Sequence, residues 1–187
     1  MSGWLPVTHH TSKRIMARGR GTRIHSRRDL RHSRTNTIGY PHGTRTEFLD
    51  AQTECTLIFS GDDGEPSGTV LSFAVNEGTF LFTSVRGRAQ VRGIERNPEV
   101  SIVISNAGTD LPGRRMLSLR GTARIHNDPT AIEPILEILA ERLAPDGQDA
   151  FLTLLRSPKR VVIEVTPSRV VASHNSLRMA GDGRGKH

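Results

Sequence analysis

Apolar and polar positions alternate along much of the chain, in short runs bounded by turn residues. "TECTLIFS" (53–60), "TVLSFAV" (69–75), "TFLFTS" (79–84) and "EVSIVIS" (99–105) are rich in β-branched and aromatic side chains, as strands require. "GDDGEPSG" (61–68) and "NEG" (76–78) separate the first three with turn chemistry. This spacing predicts an antiparallel meander of three strands, with a fourth following. "RRMLSLRGTARIH" (114–126) predicts a long strand in which Gly121 marks a bulge or bend. "RVVIEVTP" (160–167) and "RVVASH" (169–174) predict two more.

Elsewhere the period lengthens to that of a helix. Residues 89–96 predict a short helix, with Val91 and Ile94 inward and Asn97-Pro98 ending it. Asn127 or Asp128 can cap a second, with Pro129 in its first turn. Along "AIEPILEILAERL" (131–143), Ile132, Ile135, Leu136, Leu139 and Leu143 share one face, and Pro134 falls near the start, where it does least damage. "GQDAFLTLLRSP" (147–158) predicts a third. The order is therefore β-β-β, α, β-β, α-α, β-β: a mainly β protein with appended helices. Short antiparallel strands and frequent turns favour a small barrel, because closure removes exposed edges.

Charge divides the chain. Of the net +7, residues 1–45 supply ten Lys/Arg against one acid, Asp29; residues 46–187 carry sixteen Lys/Arg against eighteen acids. The basic segment has apolar residues too scattered to make a face, so disorder is expected there. Its readings are a solvated tail, an overextended start with translation beginning at Met16 or later, and an arm for nucleic acid or another anionic surface. Its Arg-rich, acid-poor composition also resembles a transit peptide, with a weak amphipathic period. The organisation expected is a basic tail (1–45), a folded domain (46–178) and a flexible end (179–187). No apolar run reaches membrane-spanning or signal-peptide length, so a cytoplasmic protein is expected, with no membrane partner. One cysteine, Cys55, excludes an internal disulfide and a multi-cysteine zinc site; a small buried hydrophobe is its expected role. His9 and His10 have no partner at ligand spacing, and no metal is expected.

Chemistry concentrates after the third strand, in "TSVRGRAQVR" (83–92). Arg86 and Arg88 stand ahead of a predicted helix, at the end whose unpaired amides already carry partial positive charge. Cations there cost stability unless an anion shares the place. Thr83 and Ser84 add hydroxyls, Gly87 allows close main-chain approach, and Arg92 adds a third guanidinium. The pattern points to a phosphate-like anion; a solvated basic turn is the bland alternative. No nucleophile elbow and no paired carboxylates occur, and His126 and His174 each end a strand without a triad or metal motif.

The run "FLFTSVRGRAQVRGIERNPEVSIVI" (80–104) resembles the cofactor-phosphate segment of the pyridoxamine 5'-phosphate oxidase-like split β-barrel superfamily. It is most similar to the branch that uses the deazaflavin coenzyme F420. "TECTLIFSGDDGEPSGTVLSFAVNEGTFLF" (53–82) resembles that family's opening strands, "RRMLSLRGTARIHND" (114–128) the strand entering its helical insertion, and "KRVVIEVTPSRVVASHN" (159–175) its closing strand. Together the similarity spans about 48–177.

The resemblance implies a homodimer of split barrels with two cofactors in grooves at the interface. By position it implies that Thr83, Ser84, Arg86 and Arg88 meet the cofactor's anionic tail, with Val91 near it through backbone and Arg92 in support. It implies that Val70, Leu71 and Ser72 lie beside the ring, Ser72 being a weak candidate for a hydrogen-bonding role. His174 and Asn175 would approach from the second subunit. Gln90 occupies the position where the family usually carries Lys, and Arg88 stands where Ser is commoner, so the cofactor stays open. F420 is expected first, FMN second and haem third. The activity implied is hydride transfer between F420 or FMN and a small unsaturated or quinone-like molecule. The alternatives are a non-catalytic barrel that binds or sequesters a flavin or tetrapyrrole, and nucleic-acid association through residues 1–45.

Overall fold

The computed structural model describes residues 44–178. The predicted basic segment before residue 44 and the tail 179–187 lie outside them. The elements run α1 (Thr44–Ala51), β1 (Glu54–Ser60), β2 (Pro66–Ser72), β3 (Ala74–Asn76), β4 (Thr79–Val85), α2 (Ala89–Arg96), β5 (Glu99–Ser105), β6 (Arg115–His126), α3 (Pro129–Leu143), α4 (Gln148–Leu155) and β7 (Arg160–Asn175), with a 3₁₀ turn at Ser176–Arg178. One antiparallel seven-stranded sheet holds all strands, in the order β2-β1-β5-β6-β7-β4-β3. It is the curled sheet of a split β-barrel, mainly β with appended helices as expected.

The three-strand meander is not what forms. The run 69–75 breaks at Phe73, which is 1 % exposed and whose amide donates to the Thr53 carbonyl at 2.9 Å. Burial of that ring, tilted against Phe80 with centroids 5.5 Å apart, turns the chain inward. β2 then pairs only with β1, and β3 only with β4, so consecutive strands lie at opposite edges of the sheet. Curling brings β2 back against β4. Glu77 and Gly78 both have positive φ (50° and 84°), the geometry that suits a tight hairpin between β3 and β4.

The final two predicted strands are one. β7 runs unbroken through Pro167, opposite Gly121 on β6, where the ladder shifts register. A proline cannot donate to a ladder, and the shift accommodates it. Gly121 has no room for a side chain: a Cβ there would stand 2.5 Å from the Thr166 carbonyl oxygen. The expected bulge at Gly121 is thus present, and it is also what lets the strand continue. The helix α1 carries no strong sequence signal. It is held by Phe48, buried in the core, and by Arg142 Nη2, which donates to the Leu49, Asp50 and Gln52 carbonyls at 3.1, 2.5 and 3.2 Å.

Strand alternation sorts the side chains. Leu57, Ile102, Leu119, Ile163, Phe80 and Phe82 point into the barrel, where α2 adds Val91 and Ile94. α3 and α4 cover the opposite face of β7 and β4, packing Ile132, Leu136 and Leu152 on Val162 and Leu139 on Leu81. Across β2, β1, β5, β6 and β7, the outward row Val70, Thr56, Val103, Ser118 and Ala172 has no such cover among the described residues.

Candidate functional site

The helix α2 forms where predicted. It is fixed by close packing: Gly93 lies so near β1 that a Cβ would stand 2.3 Å from the Ser60 carbonyl oxygen and 2.6 Å from Phe59 Cδ2. That contact presses α2 onto the barrel and sets where its first turn opens. Arg88 is the residue before the first turn, with extended φ/ψ (−68°, 150°) and no side-chain cap. Arg88 N–H donates to the Val85 carbonyl at 3.1 Å and Arg86 N–H to the Lys159 carbonyl at 2.8 Å, so the linker is tied to both β4 and the start of β7. Gly87 between them has φ of 87°, a conformation that favours glycine.

The side chains divide into engaged and free. Ser84 is buried on the barrel side of β4, and Gln90 Nε2 donates to its Oγ at 3.1 Å. Thr83, its neighbour, points to the other face, in register with Val162. The two hydroxyls therefore do not converge. Arg92 uses its guanidinium inside the protein: Nε donates to Asp62 Oδ1 at 3.3 Å, Nη2 pairs with Asp62 Oδ2, and Nη1 donates to the Gly87 carbonyl at 2.5 Å. Arg92 and, less strongly, Arg96 hold the Asp62 carboxyl down at about 2. The guanidinium groups of Arg86 and Arg88 are exposed and, among the described residues, have no hydrogen-bond or ion-pair partner. Asp62 escaped the sequence reading because "GDDG" looks like any solvated turn, thirty residues from Arg92.

The remaining predicted residues lie on other elements. Val70 is 61 % exposed and Ser72 is exposed, both on the outward face of β2, while Leu71 turns in against the core. As an edge strand, β2 leaves alternate main-chain groups unpaired. Val91 is 1 % exposed, so only its backbone is available. His174 and Asn175 end β7, in register with Met116 and Arg115, and Asn175 Oδ1 accepts from Leu177 N–H at 3.1 Å. Ser84 is opposite Val161 on the same strand. Thirteen residues of strand, a contour of about 40 Å, run from that point to His174. Within one chain the arginine linker is tied to the start of β7, and His174 and Asn175 stand at its other end. A groove of about 470 Å³ between α1, β3 and α3, lined by residues that include Leu49, Val75, Ile138 and Glu141, contains none of the predicted residues. Among the described residues no three metal-ligating side chains cluster, and no helix is long and apolar enough to cross a membrane.

Two exposed guanidinium groups at the uncapped positive end of a helix form a donor set with no matching acceptor among the described residues. Their chemistry fits an anionic group such as a phosphate.

A family model described as Pyridoxamine 5'-phosphate oxidase matches residues 42–174, and the chain belongs to that family. Solved structures with the same fold include the conserved hypothetical protein Rv2991 from Mycobacterium tuberculosis, with 21 % identity and a TM-score of 0.64, the match covering 81 % of this chain and 96 % of that one. HutZ, the heme storage protein from Vibrio cholerae, matches with 17 % identity and a TM-score of 0.60, over 73 % and 96 % of the two chains. An F420 reductase matches with 25 % identity and a TM-score of 0.50, over 69 % and 94 %. No curated protein matches the sequence.

Proposed function

We propose that the protein is a cytoplasmic, homodimeric oxidoreductase that moves hydride between F420, or FMN as the second choice, and a small unsaturated or quinone-like substrate. The observation that carries this reading is the pair of free arginines, Arg86 and Arg88, at the uncapped start of α2. They would hold the cofactor's anionic tail, with the Ser84 hydroxyl nearby. Val70, Ser72 and the free main-chain groups of the β2 edge would lie along the ring. A deazaflavin or flavin bound there supplies the hydride chemistry. The chain's own part is to bind, orient and exclude water, which suits a site without paired carboxylates. The uncovered outer row from Val70 to Ala172 suits a second copy, and a dimer is what would bring His174 and Asn175 of the partner subunit to this linker.

A second reading is binding without turnover, of a flavin or a tetrapyrrole. Gln90 favours it, because its amide is engaged with Ser84 and adds no charge.

The test is to purify the protein, add F420, FMN and haem separately, and titrate whichever binds. Replacing Arg86 and Arg88 together by Ala should weaken binding about thirtyfold, since each charge-assisted contact contributes about 1 kcal/mol or more. The melting temperature should barely move, because both side chains are exposed. Unchanged affinity would place the site elsewhere. Turnover of reduced cofactor with a quinone separates the enzyme from the binder.

A further inference from the structure

The turn between β1 and β2 reaches the arginine linker through one acid. Asp62 receives Arg92 with both oxygens and Arg96 Nη1 at 2.8 Å, while Arg96 Nη2 donates to the Gly61 carbonyl at 2.9 Å. A guanidinium is a rigid fork, so gripping Nε and Nη2 fixes the direction of Nη1. That third nitrogen meets the Gly87 carbonyl. The same peptide unit is held on its other side, where Arg88 N–H donates to the Val85 carbonyl. A planar peptide bonded at both its C=O and its N–H has little freedom left. Gly87, which the lack of a side chain would otherwise leave loose, is thereby locked at its positive φ.

We propose that Asp62 is a positioning residue for the anion site: it aims Arg92 at the Gly87 carbonyl and so holds the linker from which Arg86 and Arg88 project. This rests on the reading that the linker receives the cofactor's anionic tail. Asp62 touches no ligand in this role. Its own negative charge near an anion site is unfavourable, yet the cost of an exposed charge that is already paired is small. The benefit lies in the ordering: a preset linker avoids the entropy of fixing it when the anion arrives. The two effects have opposite signs, and that makes the proposal testable. If Asp62 acts only as a stray negative charge, its removal tightens anion binding. If it positions the linker, its removal weakens it.

The experiment compares the full chain with Asp62→Asn, Arg92→Lys, Arg92→Ala and the double variant Asp62→Asn/Arg92→Ala. FMN and F420 are titrated by fluorescence, and melting temperatures are taken without ligand. Lys keeps the charge but cannot bridge a carboxylate and a carbonyl with a rigid fork. The expected result is a five- to tenfold loss of affinity for Asp62→Asn and for Arg92→Lys, with the double variant no weaker than Arg92→Ala alone. A purely structural role would lower the melting temperature in step with affinity and would not require Arg92. Asp62→Asn binding as tightly as the parent, or more tightly, overturns the proposal. If that occurs while Arg86→Ala/Arg88→Ala still loses binding, the anion site stands and only the positioning role falls. If the parent chain binds neither FMN nor F420, the proposed function falls and the positioning role with it.

Discussion

Gln90 Nε2 donates to Ser84 Oγ across 3.1 Å, joining the first turn of α2 to the end of β4. The amide therefore satisfies a buried hydroxyl instead of facing outward. Replacing Gln90 by Lys should leave the hydroxyl bonded and add a cation. Affinity for FMN or F420 should rise about tenfold, in line with a charge-assisted contact. Equilibrium titration of the variant checks this; weaker binding would mean that Gln90 itself contacts the ligand.

Packing between α2 and β1 leaves no space at Gly93. Gly93→Ala places a methyl group against Phe59 and the Ser60 main chain, and relief requires moving backbone. A loss of roughly 1–3 kcal/mol is expected, read as a lower urea midpoint. Because the helix would shift off the barrel, cofactor affinity should fall in the same variant. Retention of both would show that α2 docks loosely.

Acid should undo the tie between the β1–β2 turn and α2. Arg92 beside Asp62 holds its carboxyl at about 2, below the ordinary 3.8. A depressed carboxyl contributes stability above its unfolded value, and the contribution is lost as pH falls through the folded one. The tie should stay intact from neutrality down to about pH 4 and fail toward pH 2. The carboxyl carbon shift of Asp62 in an NMR titration reads this directly; a midpoint near 3.8 would show that the pair does not persist in solution.

Burial pushes the Cys55 thiol up to about 12, so it stays protonated in the folded chain. At pH 8 the native protein should react with a thiol reagent far more slowly than the denatured protein. Above about pH 9 the unfolded thiol ionises and the folded one does not, so stability should decline with rising pH. Rapid labelling of the native protein would contradict the burial.

The helix 89–96 and the strand 99–105 were legible because their boundaries are local: Gly87 and Arg88 before, Asn97-Pro98 between. The breaks were not local. Phe73 divides a run of good strand formers because the core takes its ring against Phe80 while its amide reaches back twenty residues to Thr53, and neither partner lies in the run itself. Pro167 looked like an end because the shift opposite Gly121 that accommodates it is set by pairing. α1 has weak periodicity and depends on Arg142, ninety residues on. At the site, the free arginines were legible from position alone. Their support was not, since Asp62 acquires a role only once β1 and α2 are packed together.

Because β2 and β3 follow one another in sequence yet close opposite margins of the sheet, no ladder hydrogen bond crosses the line where those margins meet. That line is a zip without teeth, held by side chains and by the turn at Phe73. β2 is therefore laced on one side only, through its ladder to β1. A molecule lodged between β2 and the α2 linker would act as the missing fastener, and the amides of β2 are where its arrival would be felt as slowed exchange with solvent.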